Sequence, residues 1–145
     1  MRGRYRTARR QRGITLIEIM VVVVVIALLG AMIGPTLFNK VRQAEETRVA
    51  QDIRAIDSAL KFYRLDNYSF PSQSQGLDAL MEAPQGANNW DGPYLEDMPL
   101  DPWNNPYRYN NPGTHGKEVD IYTLGADNQE GGEGSNQDWG NWNIQ

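Results

Sequence analysis

One apolar stretch constrains this chain more than anything else in it. From Ile14 to Gly34 the only charged residue is Glu18. Those twenty-one residues would span about 31 Å as a helix, against roughly 30 Å of bilayer hydrocarbon. Six arginines (Arg2, Arg4, Arg6, Arg9, Arg10 and Arg12) precede the run, with no acid among them. The positive-inside bias holds such a flank in the cytoplasm, so the run predicts one membrane crossing with the remaining chain on the far side. That remainder is acidic: the whole chain is −4, and setting aside the six arginines leaves −10 from Ile14 onward. An acidic body argues against nucleic-acid binding, which needs basic surface facing phosphates. There is no cysteine, which removes disulfides, thiolate metal sites and cysteine nucleophiles. A small exported domain without disulfides draws its rigidity from elsewhere, and a bound metal ion is one source.

Glu18 separates the ways such a run can be used. A cleaved signal peptide has an apolar region of about 7–15 residues before a small-residue cut site; this run is longer, although Gly30-Ala31 imitates such a site. A signal anchor accounts for length and flanks and leaves Glu18 unexplained. Arg9-Arg10 is a weak fragment of a twin-arginine signal among six arginines. If cleavage instead falls between Gly13 and Ile14, the apolar run is kept and Glu18 becomes the fifth residue of the mature chain. A charge at the centre of a membrane helix costs roughly 2.5–3.5 kcal/mol, and such residues are usually paired. A carboxylate one turn inside the membrane can also reach back to the interface.

The residues RGITLIEIMVVVVVIAL resemble the class III signal of type IV pilins and pseudopilins. That signal is a basic leader, Gly, an apolar first mature residue, Thr-Leu, then Glu. Ile14 stands where the family usually has Phe. The resemblance implies a leader of residues 1–13 cut after Gly13 by a prepilin peptidase, and methylation of Ile14. It also implies that Glu18 meets the N-terminal amine of a neighbouring subunit as a filament assembles. The β-branched run Val21–Val25 is a weak helix former in water but acceptable in lipid, where backbone groups must bond internally. Pro35 lacks an amide proton and predicts a kink or local opening. The family resembled carries a similar proline in its assembly helix, taken here as residues 14–35.

Beyond Pro35 the pattern becomes amphipathic. Val49, Ile53, Ile56, Leu60 and Tyr63 repeat at spacings of 4, 3, 4 and 3, one stripe of a helix. Asp57 and Lys61 are placed for an i,i+4 contact. The spacing predicts a long helix from about Ile14 to Leu65, interrupted near Pro35, with a coiled-coil partner helix as the alternative. Asp66 to Pro71 ends it. Ser74 then predicts an N-cap for a short helix from Gly76 to Glu82, with Leu77, Leu80 and Met81 inward. Tyr94-Leu95, Asp101–Trp103 and Asn105–Tyr109 read as short strands, and Val119–Leu124, alternating and β-branched, as the best one. The expected fold is α+β, a small antiparallel sheet packed on the long helix.

The stretches LDNYSFPSQSQGLDALMEAP, YLEDMPLDPWNNPYRYNNPGTHG and VDIYTLGADNQEGGEGSNQDWGNW resemble the major pseudopilins of the type II secretion system. The likeness runs from Gly13 to Trp142, and the absence of cysteine suits that family better than pilus-forming pilins. It implies the type IV pilin-like fold, with a periplasmic domain at residues 36–145.

The last part of that domain, Leu124 to Trp142, holds Asp127, Glu130, Glu133 and Asp138 among five glycines. On composition it is either a solvated tail or a loop offering oxygen ligands to a hard cation. Trp139 and Trp142 beside Asp138 are unusual in a tail, since they favour burial. The spacing is not that of an EF-hand: Gln129 and Gly131 stand third and fifth from Asp127, and no glutamate stands at the twelfth. The resemblance implies calcium here, with Asp127 and Asp138 as side-chain ligands and Leu124 through its carbonyl. Gln129 and Ser135 match further oxygen positions, and Gln137 replaces a second acid found in some members. Glu130 and Glu133 read as solvated acids.

No constellation of residues reads as catalytic. His115 is the single histidine, in the turn Pro112–Gly116, and no phosphate loop, zinc motif or Gly-x-Ser-x-Gly is present. Asp101 before proline suits a turn cap. Trp90 and Trp103 suit core packing or a subunit contact ahead of a sugar platform. The resemblance implies a non-enzymatic filament subunit in the bacterial inner membrane, single-pass, with its C-terminal domain in the periplasm. It would polymerise with itself, contacting minor pseudopilins and an inner-membrane assembly platform, to export folded proteins across the outer membrane. A type IV pilin or competence pseudopilin, or a membrane-anchored calcium module that never polymerises, would share many of these features.

Overall fold

The computed structural model describes residues 13–144. One helix, α1 (Leu16–Asn67), is followed by three short strands: β1 (Arg108–Asn110), β2 (Asp120–Thr123) and β3 (Trp139–Gly140). The chain divides into two units at Asn39 and Lys40, and α1 contributes to both.

In the N-terminal unit α1 carries its apolar side chains outward. Leu16 is 81% exposed and Met32 71%, and the valines are likewise exposed. This part of the helix is long and apolar enough to cross a membrane. It is not opened at Pro35: the residues on both sides are helical, which corrects the expected interruption. Proline removes a single amide donor, and the bonds of the neighbouring turns hold the helix around the gap.

In the C-terminal unit one face of α1 becomes the core. Val49, Ile53, Ile56, Leu60 and Tyr63 are all buried, the stripe that the 4-3-4-3 spacing predicts. Asp57 and Lys61 form the expected pair at 2.6 Å. Against that face pack Leu77 and Leu80 of a single 3₁₀ turn (Leu77–Leu80), Tyr109 of β1, Ile121 of β2, and Tyr107 and Val119, which immediately precede those strands. Trp90 and Trp103 pack against this cluster too, in keeping with core packing.

The 3₁₀ turn replaces the helix expected over Gly76–Glu82, and Ser74 does not cap it. Its hydroxyl meets that of Ser72 at 3.1 Å. Ser72 and Gln75 make the reciprocal bonds instead: the Ser72 amide donates to Gln75 Oε1 (2.8 Å) and the Gln75 amide donates to Ser72 Oγ (3.3 Å).

The sheet is antiparallel in the order β1-β2-β3, with Tyr109 opposite Ile121 and Thr123 opposite Trp139. Two expected strands are absent, because their backbone amides are taken by acceptors outside any strand ladder. Asp101 Oδ1 accepts the Trp103 and Asn105 amides, so Asp101–Trp103 is a turn capped by a carboxylate, and its other oxygen accepts the Thr123 hydroxyl. Tyr94 and Leu95 both donate to the Leu80 carbonyl. Of Asn105–Tyr109 only the last two residues join a strand. In return β3 lies inside the stretch from Leu124 to Trp142, read from composition as a solvated tail or a cation loop.

Candidate functional site

Two places hold the residues singled out from the sequence. At the start of α1, Thr15 and Glu18 face each other. The Thr15 amide donates to Glu18 Oε2 (3.4 Å) and the Glu18 amide to Thr15 Oγ1 (3.3 Å). This is a capping box, Thr-x-x-Glu, which satisfies donors at the helix start. It sets an acid in the first turn, where the helix dipole favours it. Sequence reasoning missed this cap, although the motif is visible in Thr15-Leu16-Ile17-Glu18. Gly13 and Ile14 precede the helix, with Ile14 exposed. The expected leader falls on residues 1–12, outside the described residues, and its last residue, Gly13.

The second place is the loop from Leu124 to Trp142. Its two arms lie side by side because Gly125 has φ +70° and no Cβ. A side chain there would stand 2.7 Å from the Ser135 carbonyl oxygen and 2.8 Å from that of Gln137, a contact only glycine tolerates. The Ala126 amide donates to the Ser135 carbonyl at 2.8 Å, closing the arms. Gly131, Gly132 and Gly134 all take positive φ, leading the chain through a 3₁₀ turn at Gly134–Asn136 and on to β3.

This folding brings Leu124, Asp127, Ser135 and Asp138 onto adjoining arms. Gln129 is exposed in the turn between them, and its amide donates to Asp127 Oδ1 at 3.2 Å. Asp138 Oδ2 accepts the Gly131 amide at 2.9 Å, whereas its Oδ1 is buried without a partner among the described residues. An orphaned buried carboxylate oxygen is costly and is what a cation would satisfy. The donors are all oxygen, suited to a hard ion. No group of three or more His, Cys, Asp or Glu side chains gathers among the described residues. A cation here must therefore draw on neutral oxygens beside two carboxylates. Glu130 and Glu133 are exposed.

Sequence reasoning did not find Glu45, whose Oε2 accepts the Ser135 hydroxyl at 2.8 Å. It also missed Arg108, which donates to Asn128 Oδ1 at 3.0 Å. No local pattern links positions so distant along the chain. His115 is more than a surface residue. Its ring stacks on Trp142 (3.7 Å between centroids, 9° between planes) and its Nδ1 lies 2.8 Å from Asp120 Oδ2.

A family model described as type II secretion system, protein G matches residues 36–142. The chain belongs to that family. A model of the prokaryotic N-terminal methylation motif matches residues 8–34. Among curated relatives, the type II secretion system core protein G of Pseudomonas aeruginosa is 50% identical over 139 residues, covering 92% of this chain and 96% of the relative. That of Vibrio cholerae is 45% identical over 140 residues, covering 94% and 95%. A crystal structure of the major pseudopilin from the type 2 secretion system of enterohaemorrhagic Escherichia coli is 36% identical. It aligns with a TM-score of 0.64 over 74% of this chain and 95% of that one. The helix-and-sheet architecture is thus that of a type II secretion protein G, a family of structural pseudopilins. The methylation motif and the apolar helix mark this member as membrane-anchored.

Proposed function

We propose that the chain is the repeating subunit of a type II secretion pseudopilus. It enters the bacterial inner membrane through α1, is cut after Gly13 by a prepilin peptidase and is methylated at Ile14. It then polymerises with its own copies, with minor pseudopilins and an assembly platform, into a periplasmic filament that moves folded proteins across the outer membrane. Glu18, capped on Thr15 within one chain, meets the N-terminal amine of a neighbour, and Pro35 lies in the packed helix. The observation that carries this reading is the exposure of the apolar side chains of α1 from Leu16 to Val41. Such a surface has to be covered, by lipid or by copies of itself. The deciding experiment is the N-terminal mass of protein extracted from membranes. A chain beginning at Ile14 and heavier by one methyl group is expected; one beginning at Met1 refutes the assembly role.

The C-terminal loop, in this proposal, holds calcium. The residues that would hold it are Asp127, Asp138, Ser135, Gln129 and the Leu124 carbonyl. The ion would cancel the repulsion between the two carboxylates and tie the arms together. Gly125 lets the arms approach, the Gly131 amide orients Asp138, and the Ala126 amide fixes the Ser135 backbone.

A further inference from the structure

Glu45 lies on α1 one turn before Val49, the first buried residue of the helix. It is half-buried, and its Oε2 accepts the Ser135 hydroxyl at 2.8 Å across ninety residues of chain. Ser135 is also where the loop arms join, through the Ala126 amide on its carbonyl. A serine hydroxyl has one proton and two lone pairs. To ligate a cation it must present a lone pair and turn its proton away. A carboxylate behind it sets that orientation and raises the oxygen's basicity, as outer-shell partners do at metal sites.

We propose that Glu45 is a positioning residue for the cation loop, aiming the Ser135 hydroxyl and coupling ion binding to α1. The inference rests on the calcium reading of the loop. It gives the core helix a direct bond to the part of the molecule that the ion would order. Nothing in the composition of the loop itself contains this link.

Calcium titration calorimetry on the full chain in detergent tests it. The comparison takes wild type, Glu45→Ala, Glu45→Gln, Ser135→Ala and the double variant Glu45→Ala/Ser135→Ala. Glu45→Ala is expected to weaken calcium binding roughly 10–100-fold, the range for a lost outer-shell partner. Glu45→Gln keeps an oxygen that accepts the hydroxyl and recovers most of that loss. The double variant binds no more weakly than Ser135→Ala alone, since Glu45 acts through Ser135. If Glu45→Ala fails to fold, Glu45→Asp carries the test, its shorter carboxylate giving a clear loss or unchanged binding with the same meanings. A wild type that binds no calcium overturns the calcium reading itself. Calcium binding by wild type with Glu45→Ala unchanged, or with additive losses in the double variant, overturns the role of Glu45 and leaves the calcium reading in place.

Discussion

Asp120 keeps its charge in a fully buried position. Burial alone would raise its pKa, but hydrogen bonds from the Thr114 amide, the His115 ring and the Thr114 hydroxyl outweigh that and hold it below the usual carboxylate value. A depressed folded pKa contributes stability that is complete above the unfolded value of 3.8 and lost as pH falls through the folded one. Asp120→Asn is therefore expected to cost about 2 kcal/mol at neutral pH, as for hydrogen bonds to a charged group. The gap from wild type should close below about pH 4. Thermal unfolding of both proteins from pH 7 to pH 2 checks this, and a constant gap would show that the charge is not what stabilises. The arrangement was illegible in the sequence. His115 reads there as a lone turn histidine, and Trp142, against which it stacks, lies twenty-seven positions later. Two buried tyrosines show the same dependence on surroundings. Burial pushes the Tyr109 hydroxyl up to about 12, and burial together with the Asp52 carboxylate pushes Tyr107 higher still.

At the level of elements, α1 is the part most legible in advance, because helical periodicity is a local property. Each residue of the stripe from Val49 to Tyr63 is buried as its spacing requires. Ile53, fully buried, is expected to cost about 3 kcal/mol on truncation to alanine through lost transfer energy and a residual cavity. Leu65→Ala, at a position 71% exposed, should stay within about 0.5 kcal/mol. Urea unfolding measures both, and equal losses would mean that the packing face is misassigned. The strands were less legible. Of the expected segments, Tyr94-Leu95 donates to the Leu80 carbonyl, Asp101 takes the Trp103 and Asn105 amides, and only Arg108 and Tyr109 of Asn105–Tyr109 reach the sheet. β3 is two residues long, too short to show an alternation, and exists because β2 offers it an edge.

For the whole molecule the proposal joins an anchored helix to an ion-stiffened head. Chelating calcium from the membrane-extracted protein is expected to open residues 124–142 to protease while the core from Val49 onward stays protected. Asp127→Ala and Asp138→Ala should reproduce that cleavage with calcium present, and lower secretion. Identical digestion with and without chelator would refute a role for calcium in ordering the loop. By itself the sequence determined the membrane run, the charge within it, the buried stripe of α1 and the motifs that carry its resemblance to pseudopilins. These follow from hydropathy, period and motif, which act over a few neighbouring residues. Only the tertiary structure decided that Glu45 holds Ser135, that Asp138 has a buried oxygen without a partner among the described residues, and that Asp120 gathers Thr114 and His115 beneath Trp142. Those contacts depend on which distant segments the packed core brings together, and no short window of residues contains both partners.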